Sequence, residues 1–465
     1  MRYNIILFPI IWYCFLGGIG YSIFLLNSDI HKIGKYFLEG GWFEHFWIFP
    51  FYLLSEFCFI VLNIIGQQKD RIYIDNLTEE DKYNSLENTA VIIPCHKGYN
   101  EIKNNRERLQ FKFKYIFIAD NNNNEGENEE FKEYCIDYGI YYLYYSLPNK
   151  TNAILKTTEY IKNKFPFIKK VILLDDDTVI NNDFFIREDL LENPTTAGYT
   201  CCIGIYDITN KNYLEKWIDF EYRTISYRNR TRNFHTLKFL HGIICVYKID
   251  SLLNIFRWNQ CNHGGLPFGE DAYAGLKARE IGYTLKQDHL NTVYTYCPDK
   301  FFNFSTNREQ GYGASSLFKQ RVLRWYLSWP RRFLNEFALL FYYDCGSWLG
   351  NILYRLDFIW YIWILGNASW WIFILVHTSL LLKTSLLWFI YIHLVFFLMN
   401  GITSFIRKCF MSPKEAEHIK WYTPLSFPLF MFFLLFFYSF SFIISMLYYI
   451  PFFRIDFNTC YENVH

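Results

Sequence analysis

Val171-Ile172-Leu173-Leu174-Asp175-Asp176-Asp177-Thr178 joins four consecutive apolar residues to three carboxylates in a row. A short apolar run that stops at polar residues reads as a buried strand of an α/β sheet, where ligands collect beyond the carboxyl ends of the strands. The stretch therefore predicts a strand over 171–174 with an acidic end. An acidic turn of this kind is either a solvated strand end or a seat for a hard divalent cation. Further apolar runs at 89–93, 115–119 and 242–247 are also expected to be strands, and the first two likewise end at polar or acidic residues. Polar helical stretches lie between them, so residues 67–300 are expected to form an α/β domain with a mainly parallel sheet, its site built from the strand ends.

The flanks have a different composition. Hydrophobic residues make up 52% of the 465 and charged residues 20%, with the apolar ones gathered toward both ends, as in a membrane protein with a polar insert. Runs at 5–26 and 47–65 are long enough for spanning helices, a cleaved signal peptide being the competing reading of the first. Glu56, inside the second run, is costly in lipid and is expected to face protein or mark a functional spot. Residues 315–343 mix Arg and Lys with aromatics, as interfacial helices do, and apolar runs return at 358–382, 386–405 and 425–450. Arg407, Lys408, Lys414 and Lys420 fall between the last two, placing that loop in the cytosol with the central domain. Five spans follow, with the C-terminus outside; a sixth at 337–354 would invert that loop. The expected divisions are a helix pair over 1–66, the catalytic domain over 67–300, interfacial helices over 301–346, a helical bundle over 347–452 and a tail over 453–465.

A net charge of +1 gives no electrostatic support for nucleic acid as a partner. Twelve cysteines without a CxxC pair suit free thiols in a reducing compartment. Residues 121–130 read as a surface loop.

Six short motifs then occur in order: Val91-Ile92-Ile93-Pro94-Cys95-His96, Ile118-Ala119-Asp120-Asn121, Asn149-Lys150-Thr151-Asn152-Ala153, Phe239-Leu240-His241-Gly242, Phe268-Gly269-Glu270-Asp271 and Arg321-Val322-Leu323-Arg324-Trp325, with the triple Asp between the third and fourth. In that order they resemble the family 2 glycosyltransferases of the membrane-bound processive kind, the hyaluronan, chitin and cellulose synthases and their relatives. The resemblance implies a glycosyltransferase A-type α/β domain inserted between transmembrane helices, and inverting transfer from a UDP-sugar to a growing β-linked polysaccharide. Ceramide-glucosyltransferase-like enzymes share the Asp motifs and the final motif, so single transfer to a glycolipid is the alternative.

By the same resemblance, Pro94, Asp120, Lys150 and Asp175 contact the nucleotide, with Asp120 accepting from the uracil ring. Asp177, with Asp175, holds Mg²⁺ or Mn²⁺ on the diphosphate, which a hard cation neutralises. Asp271, beside Glu270, is the general base that takes a proton from the acceptor hydroxyl. His241, Gly242 and Trp325 lie on the acceptor side. Arg321 and Arg324 suit diphosphate, since guanidinium makes paired hydrogen bonds to phosphate oxygens; the stretch 321–332 is otherwise a basic face over anionic lipid. The opening loop, Pro94-Cys95-His96-Lys97-Gly98-Tyr99-Asn100-Glu101, is longer than in many relatives, and His96 is read as either a metal ligand or an ordinary loop histidine. Trp217, Asp219 and Glu221 fall on an expected helix, where Glu221 either touches acceptor hydroxyls or is one residue of a solvated face. Glu56 and His377 are the polar residues that would mark a path through the bilayer.

Overall fold

The protein's structure is a computed structural model that describes residues 48–96, 98–121, 127–146, 149–262, 269–303, 316–325, 336, 338–364 and 386–448. Of the residues singled out above, Lys97, Phe268 and His377 lie outside these, as does the first apolar run.

Strands β1 (Thr89–Cys95), β2 (Tyr115–Asp120), β3 (Tyr141–Tyr144), β4 (Lys170–Leu174), β5 (Val179–Ile180), β6 (Thr196–Ile205), β7 (Ile244–Lys248) and β8 (Thr284–Thr295) form one sheet in the order β3-β2-β1-β4-β7-β6-β8-β5. Its strands are covered on both faces, which is why β1 is buried along its whole length. Side chains alternate across it. Val91, Ile93, Ile116, Ile118, Ile172 and Leu174 pack on one face, and Ala90, Ile92, Phe117, Ala119, Val171 and Leu173 on the other.

The expected strands at 89–93, 115–119 and 171–174 all form, each one or two residues longer than read, whereas the one expected over 242–247 starts at Ile244. The sheet is mainly parallel, as expected, with two reversed strands. β3, β2, β1 and β4 are mutually parallel and so are β6 and β8, but β7 runs against both β4 and β6, and β5 against β8. The sheet is mixed because β7 enters beside the carboxyl end of β4, with Ile244 paired to Leu174, and can only run back along it. That reversal places the loop before β7 against the acidic turn after β4.

Helices α1 (Ile48–Asp75), α2 (Glu79–Ser85), α3 (Tyr99–Lys112), α4 (Glu129–Asp137), α5 (Lys150–Lys164), α6 (Glu188–Glu192), α7 (Tyr213–Arg232), α8 (Ile249–Asn262) and α9 (Glu270–Glu280) surround the sheet, followed by α10 (Trp348–Ile364), α11 (Leu386–Phe410), α12 (Pro413–Ala416) and α13 (Tyr422–Tyr448). Arg407 of α11 donates from Nε and Nη2 to the two carboxylate oxygens of Glu56 of α1. Glu56 thus faces protein, as expected of a carboxylate in an apolar run, and serves as half of an ion pair rather than as part of a polar path. Arg230 of α7 meets Glu415 at 2.9 Å, Arg187 meets Asp70 at 3.0 Å, and the Trp217 indole donates to Ser426 at 2.9 Å. The flanking helices are therefore bolted to the sheet domain by buried polar contacts. Among the residues whose side chains are described, no helix is long and apolar enough to cross a membrane.

Candidate active site

Three strand ends and one returning loop build the site. Asn121, just past β2, donates its side-chain amide to Cys95 O at 2.6 Å and accepts from the Lys150 backbone N–H at 3.2 Å, in the orientation that satisfies both. Asn149 caps α5 by accepting from Asn152 N–H at 3.2 Å. These contacts start α5 beside the ends of β1 and β2. Lys150 is then the first residue of the helix, where the positive end of the macrodipole disfavours a cation.

Carboxylates offset that placement. Lys150 Nζ lies 2.6 Å from Asp175 Oδ1 and 3.2 Å from Glu270 Oε1. Burial alone would lower the Lys150 pKa, but the two carboxylates outweigh it and hold the ammonium well above its usual range. Asp175 is fixed by its own N–H, which donates to Ile243 O at 3.1 Å, and Thr178 Oγ1 reaches the same carbonyl at 3.3 Å. Gly242 precedes that carbonyl. A Cβ there would sit 3.9 Å from Asp271 Oδ2, 3.9 Å from Lys150 Nζ and 4.0 Å from Asp175 Oδ2, so Gly242 marks the point on which the three side chains converge.

Glu270 and Asp271 reach this point through two glycines. Gly269 adopts a φ of 81°, a left-handed conformation that favours glycine, and turns the chain into α9. Gly275 faces the loop before β7, where a Cβ would come within 2.3 Å of Lys238 O and 2.5 Å of Phe239 Cα. Only a residue without a side chain lets α9 lie this close to the loop that carries Gly242. Pro94, Lys150, Asp175, Gly242, Glu270 and Asp271 consequently line one cavity, together with Cys245 and apolar side chains of β4, β7 and α8.

The other two aspartates of the turn meet other parts of the chain. Asp176 packs over Gly98, where a Cβ would meet its Oδ2 at 1.8 Å. Asp177 lies toward Tyr222 and Tyr296, whose hydroxyl pKa values are raised by burial with a further push from its charge. Asp175 and Asp177 supply the hard oxygen donors that Mg²⁺ or Mn²⁺ takes, and both are partly open to solvent, so the residues present fit such an ion. Among the described residues, a group of three side chains close enough to share a metal is Cys202, His289 and Glu415, apart from this cavity. Its Glu415 is already engaged by Arg230 at 2.9 Å. His96 is not part of that group and is a half-buried loop residue.

Several expected site residues are placed elsewhere. Asp120 is fully buried, and its Oδ2 accepts from Tyr99 at 3.0 Å and from Tyr142 at 2.5 Å, so two tyrosine hydroxyls take the carboxylate edge expected to face a base. Arg321 is 2% exposed and donates to Glu221 at 2.6 Å, with its guanidinium 4.0 Å above the Trp325 ring. It supports that ring rather than lining the cavity, because burial of Glu221, which raises that carboxyl's pKa, requires a cation beside it. Arg324 belongs to the same π-helical turn, Lys319–Trp325, but its side chain lies outside those described. Trp325 remains 37% exposed. His241 is half-buried, its pKa lowered to about 4 by burial and by Arg232, and its carbonyl accepts from the Cys245 thiol at 2.8 Å. Trp217, Asp219 and Glu221 do share α7, but none is on a solvated face: Asp219 is buried, accepting from Ile205 N–H at 2.9 Å and Arg223 Nε at 2.7 Å.

The residues missed in the sequence are those that aim the others: Asn121 and Gly275. Asn121 stood next to a flagged aspartate; Gly275 gave no local signal, since its reason is a close approach between segments far apart in sequence.

No protein-family model and no curated protein matches the chain. Solved structures similar to it are glycosyltransferases. The mannosyltransferase PcManGT from Pyrobaculum calidifontis, in complex with GDP-Man and Mn²⁺, matches with a TM-score of 0.41 at 11% identity, over 80% of this chain and 95% of that one. GalNAc-T7 with UDP, GalNAc and Mn²⁺ matches at 0.36 and 12% identity, over 59% of this chain and 56% of that one. Glucosyl-3-phosphoglycerate synthase from Mycobacterium tuberculosis, with phosphoglyceric acid, matches at 0.30 and 11%, over 48% and 78%. Likeness at these scores carries no functional argument, which has to come from the site.

Proposed function

We propose that the protein is an inverting glycosyltransferase of the A-type fold that moves a sugar from a UDP-sugar to a growing β-linked polysaccharide at a membrane. The observation that carries this reading is the convergence of Asp175, Lys150 and Asp271 on the space beside Gly242, at the carboxyl ends of β1 and β4. Such a site has a cation for a diphosphate and a carboxylate for a hydroxyl in one cavity.

Asp271 takes the proton of the acceptor hydroxyl as its oxygen attacks the anomeric carbon of the donor. The bond from that carbon to the diphosphate oxygen breaks, and the electron pair leaves with UDP. Asp175 and Asp177 would hold a divalent cation, which would supply positive charge to neutralise the diphosphate. Lys150 adds a second positive charge, and Trp325, braced by Arg321 and Glu221, offers its exposed face to the acceptor sugar. One base on the face opposite the leaving group gives a single displacement, hence inversion.

The membrane part of the proposal rests on the sequence alone: the apolar runs at 386–405 and 425–450 each reach the about 20 residues needed to span a bilayer. The test is reconstitution in sealed vesicles with a panel of UDP-sugars outside. Large β-glycan protected from added glycosidase supports the proposal. A single sugar on an extractable lipid, with no polymer from any donor, replaces the polymerase by a glycolipid synthase, and no transfer from any nucleotide sugar rejects both.

A further inference from the structure

The position a bound cation would need is already held by one of the protein's own. Lys150 Nζ is 2.6 Å from Asp175 Oδ1 and 3.2 Å from Glu270 Oε1, and lies beside Gly242 at the centre of the cavity. We propose that Lys150 is a resident counter-cation that occupies Asp175 until the donor arrives and then passes to its diphosphate, so that divalent metal and nucleotide enter the site together and neither binds well alone. The inference rests on the reading of Asp175 and Asp177 as the metal-holding pair.

Three features of the site support it. First, Lys150 opens α5, where the helix dipole repels an ammonium, so its position depends on Asp175 and Glu270 and can pass to a more highly charged anion. Second, a divalent ion taking Asp175 would share that carboxylate with an ammonium already at hydrogen-bond distance, and like charges so close in a half-buried site repel strongly. Metal alone must therefore either bind weakly or expel Lys150. Third, a lysine is a point charge on a flexible four-carbon stem, able to swing from Asp175 to a phosphate while Glu270 still neutralises part of its charge. A diphosphate both attracts Lys150 and bridges to the metal. Since coupling between two ligands is reciprocal, metal must raise nucleotide affinity by the factor that nucleotide raises metal affinity.

The experiment follows free Mn²⁺ by electron paramagnetic resonance in a titration of the full-length protein in detergent, with and without saturating UDP. Wild type should bind Mn²⁺ at least about tenfold more tightly with UDP than without. Lys150→Met should bind Mn²⁺ without UDP at least about tenfold more tightly than wild type, and its gain from UDP should shrink toward none. Lys150→Arg keeps the charge, so its affinity for Mn²⁺ alone should stay as weak as in wild type. A Lys150→Met protein that melts like wild type yet binds Mn²⁺ alone no more tightly overturns the proposal, as does a UDP effect under about twofold in wild type. Asp177→Asn separates the two levels of the argument. If it binds Mn²⁺ with UDP as wild type does, the metal-holding pair is wrong and the proposal falls with it; if it loses Mn²⁺ while Lys150→Met shows no gain, only the coupling fails.

Discussion

Removing the Glu336 carboxylate should loosen α9 from a distance. Arg279, near the end of α9, donates to both oxygens of Glu336 at 2.7 and 2.6 Å, to Tyr354 of α10 at 3.2 Å and to Gly275 O at 3.2 Å. The two side chains are 0% and 1% exposed, so neither charge has water to fall back on. Breaking such a pair from one side costs about 3–5 kcal/mol, because an uncompensated charge stays buried. Glu336→Leu leaves the guanidinium with only the two neutral acceptors, which places it toward the upper half of that range. For a domain of this size, 1 kcal/mol shifts the melting temperature by roughly 2–4 °C, so a fall on the order of 10 °C is expected. Replacing both members, Arg279→Met with Glu336→Leu, removes the buried charge altogether and should restore most of the loss. The assay is thermal unfolding of purified protein in detergent, for wild type, the two single variants and the pair. A Glu336→Leu protein melting within about 2 °C of wild type, or a double variant no better than the worse single one, refutes the account of Arg279 as a charge held in place by its partner.

Other outcomes follow from the same structure. Asp271→Asn should lower turnover by about 10²- to 10⁴-fold with UDP binding retained; loss of UDP binding in a calorimetric titration would make Asp271 a nucleotide ligand. Asp177→Asn should abolish metal-dependent transfer without lowering the melting temperature, and full turnover of wild type in excess chelator would contradict the role of the pair. Gly275→Ala forces a Cβ onto Lys238 O and Phe239 Cα, so it should destabilise by about 1–3 kcal/mol and also reduce activity by moving Gly242; an active variant of wild-type stability would show that α9 can shift without consequence. His235 is buried and neutral, its pKa lowered from 6.5 to about 3 chiefly by burial. Between those values the unfolded chain binds the proton and the folded one does not, so stability falls as pH drops below 6.5. His235→Gln should flatten that limb by about 1.4 kcal/mol per pH unit, and an unchanged slope of stability against pH would show that His235 is protonated in the fold.

The parts of this protein legible in its sequence were those set by local chemistry. An apolar run stopped by Asp175 is a buried strand with a polar end wherever it packs, and so β1, β2 and β4 and their acidic ends could be read directly. The mixed character of the sheet could not, because a buried strand has the same composition in either direction, and β7 runs against β4 only because its loop enters at the Asp175 end. The same limit applies to charge. Lys150, Asp175, Glu270 and Asp271 are each legible one by one, but their meeting in one cavity depends on that register, on Gly275 and on the cap at Asn149. Where residue type alone suggested a role, tertiary context redirected it: Arg321 has the chemistry to bind phosphate, yet the half-buried Glu221 claims it, and Glu56 is taken by an arginine of a distant helix. Sequence supplies the groups and their strand ends; which partner satisfies each buried charge is decided by the folded chain, since desolvation makes the nearest opposite charge worth more than any distant ligand.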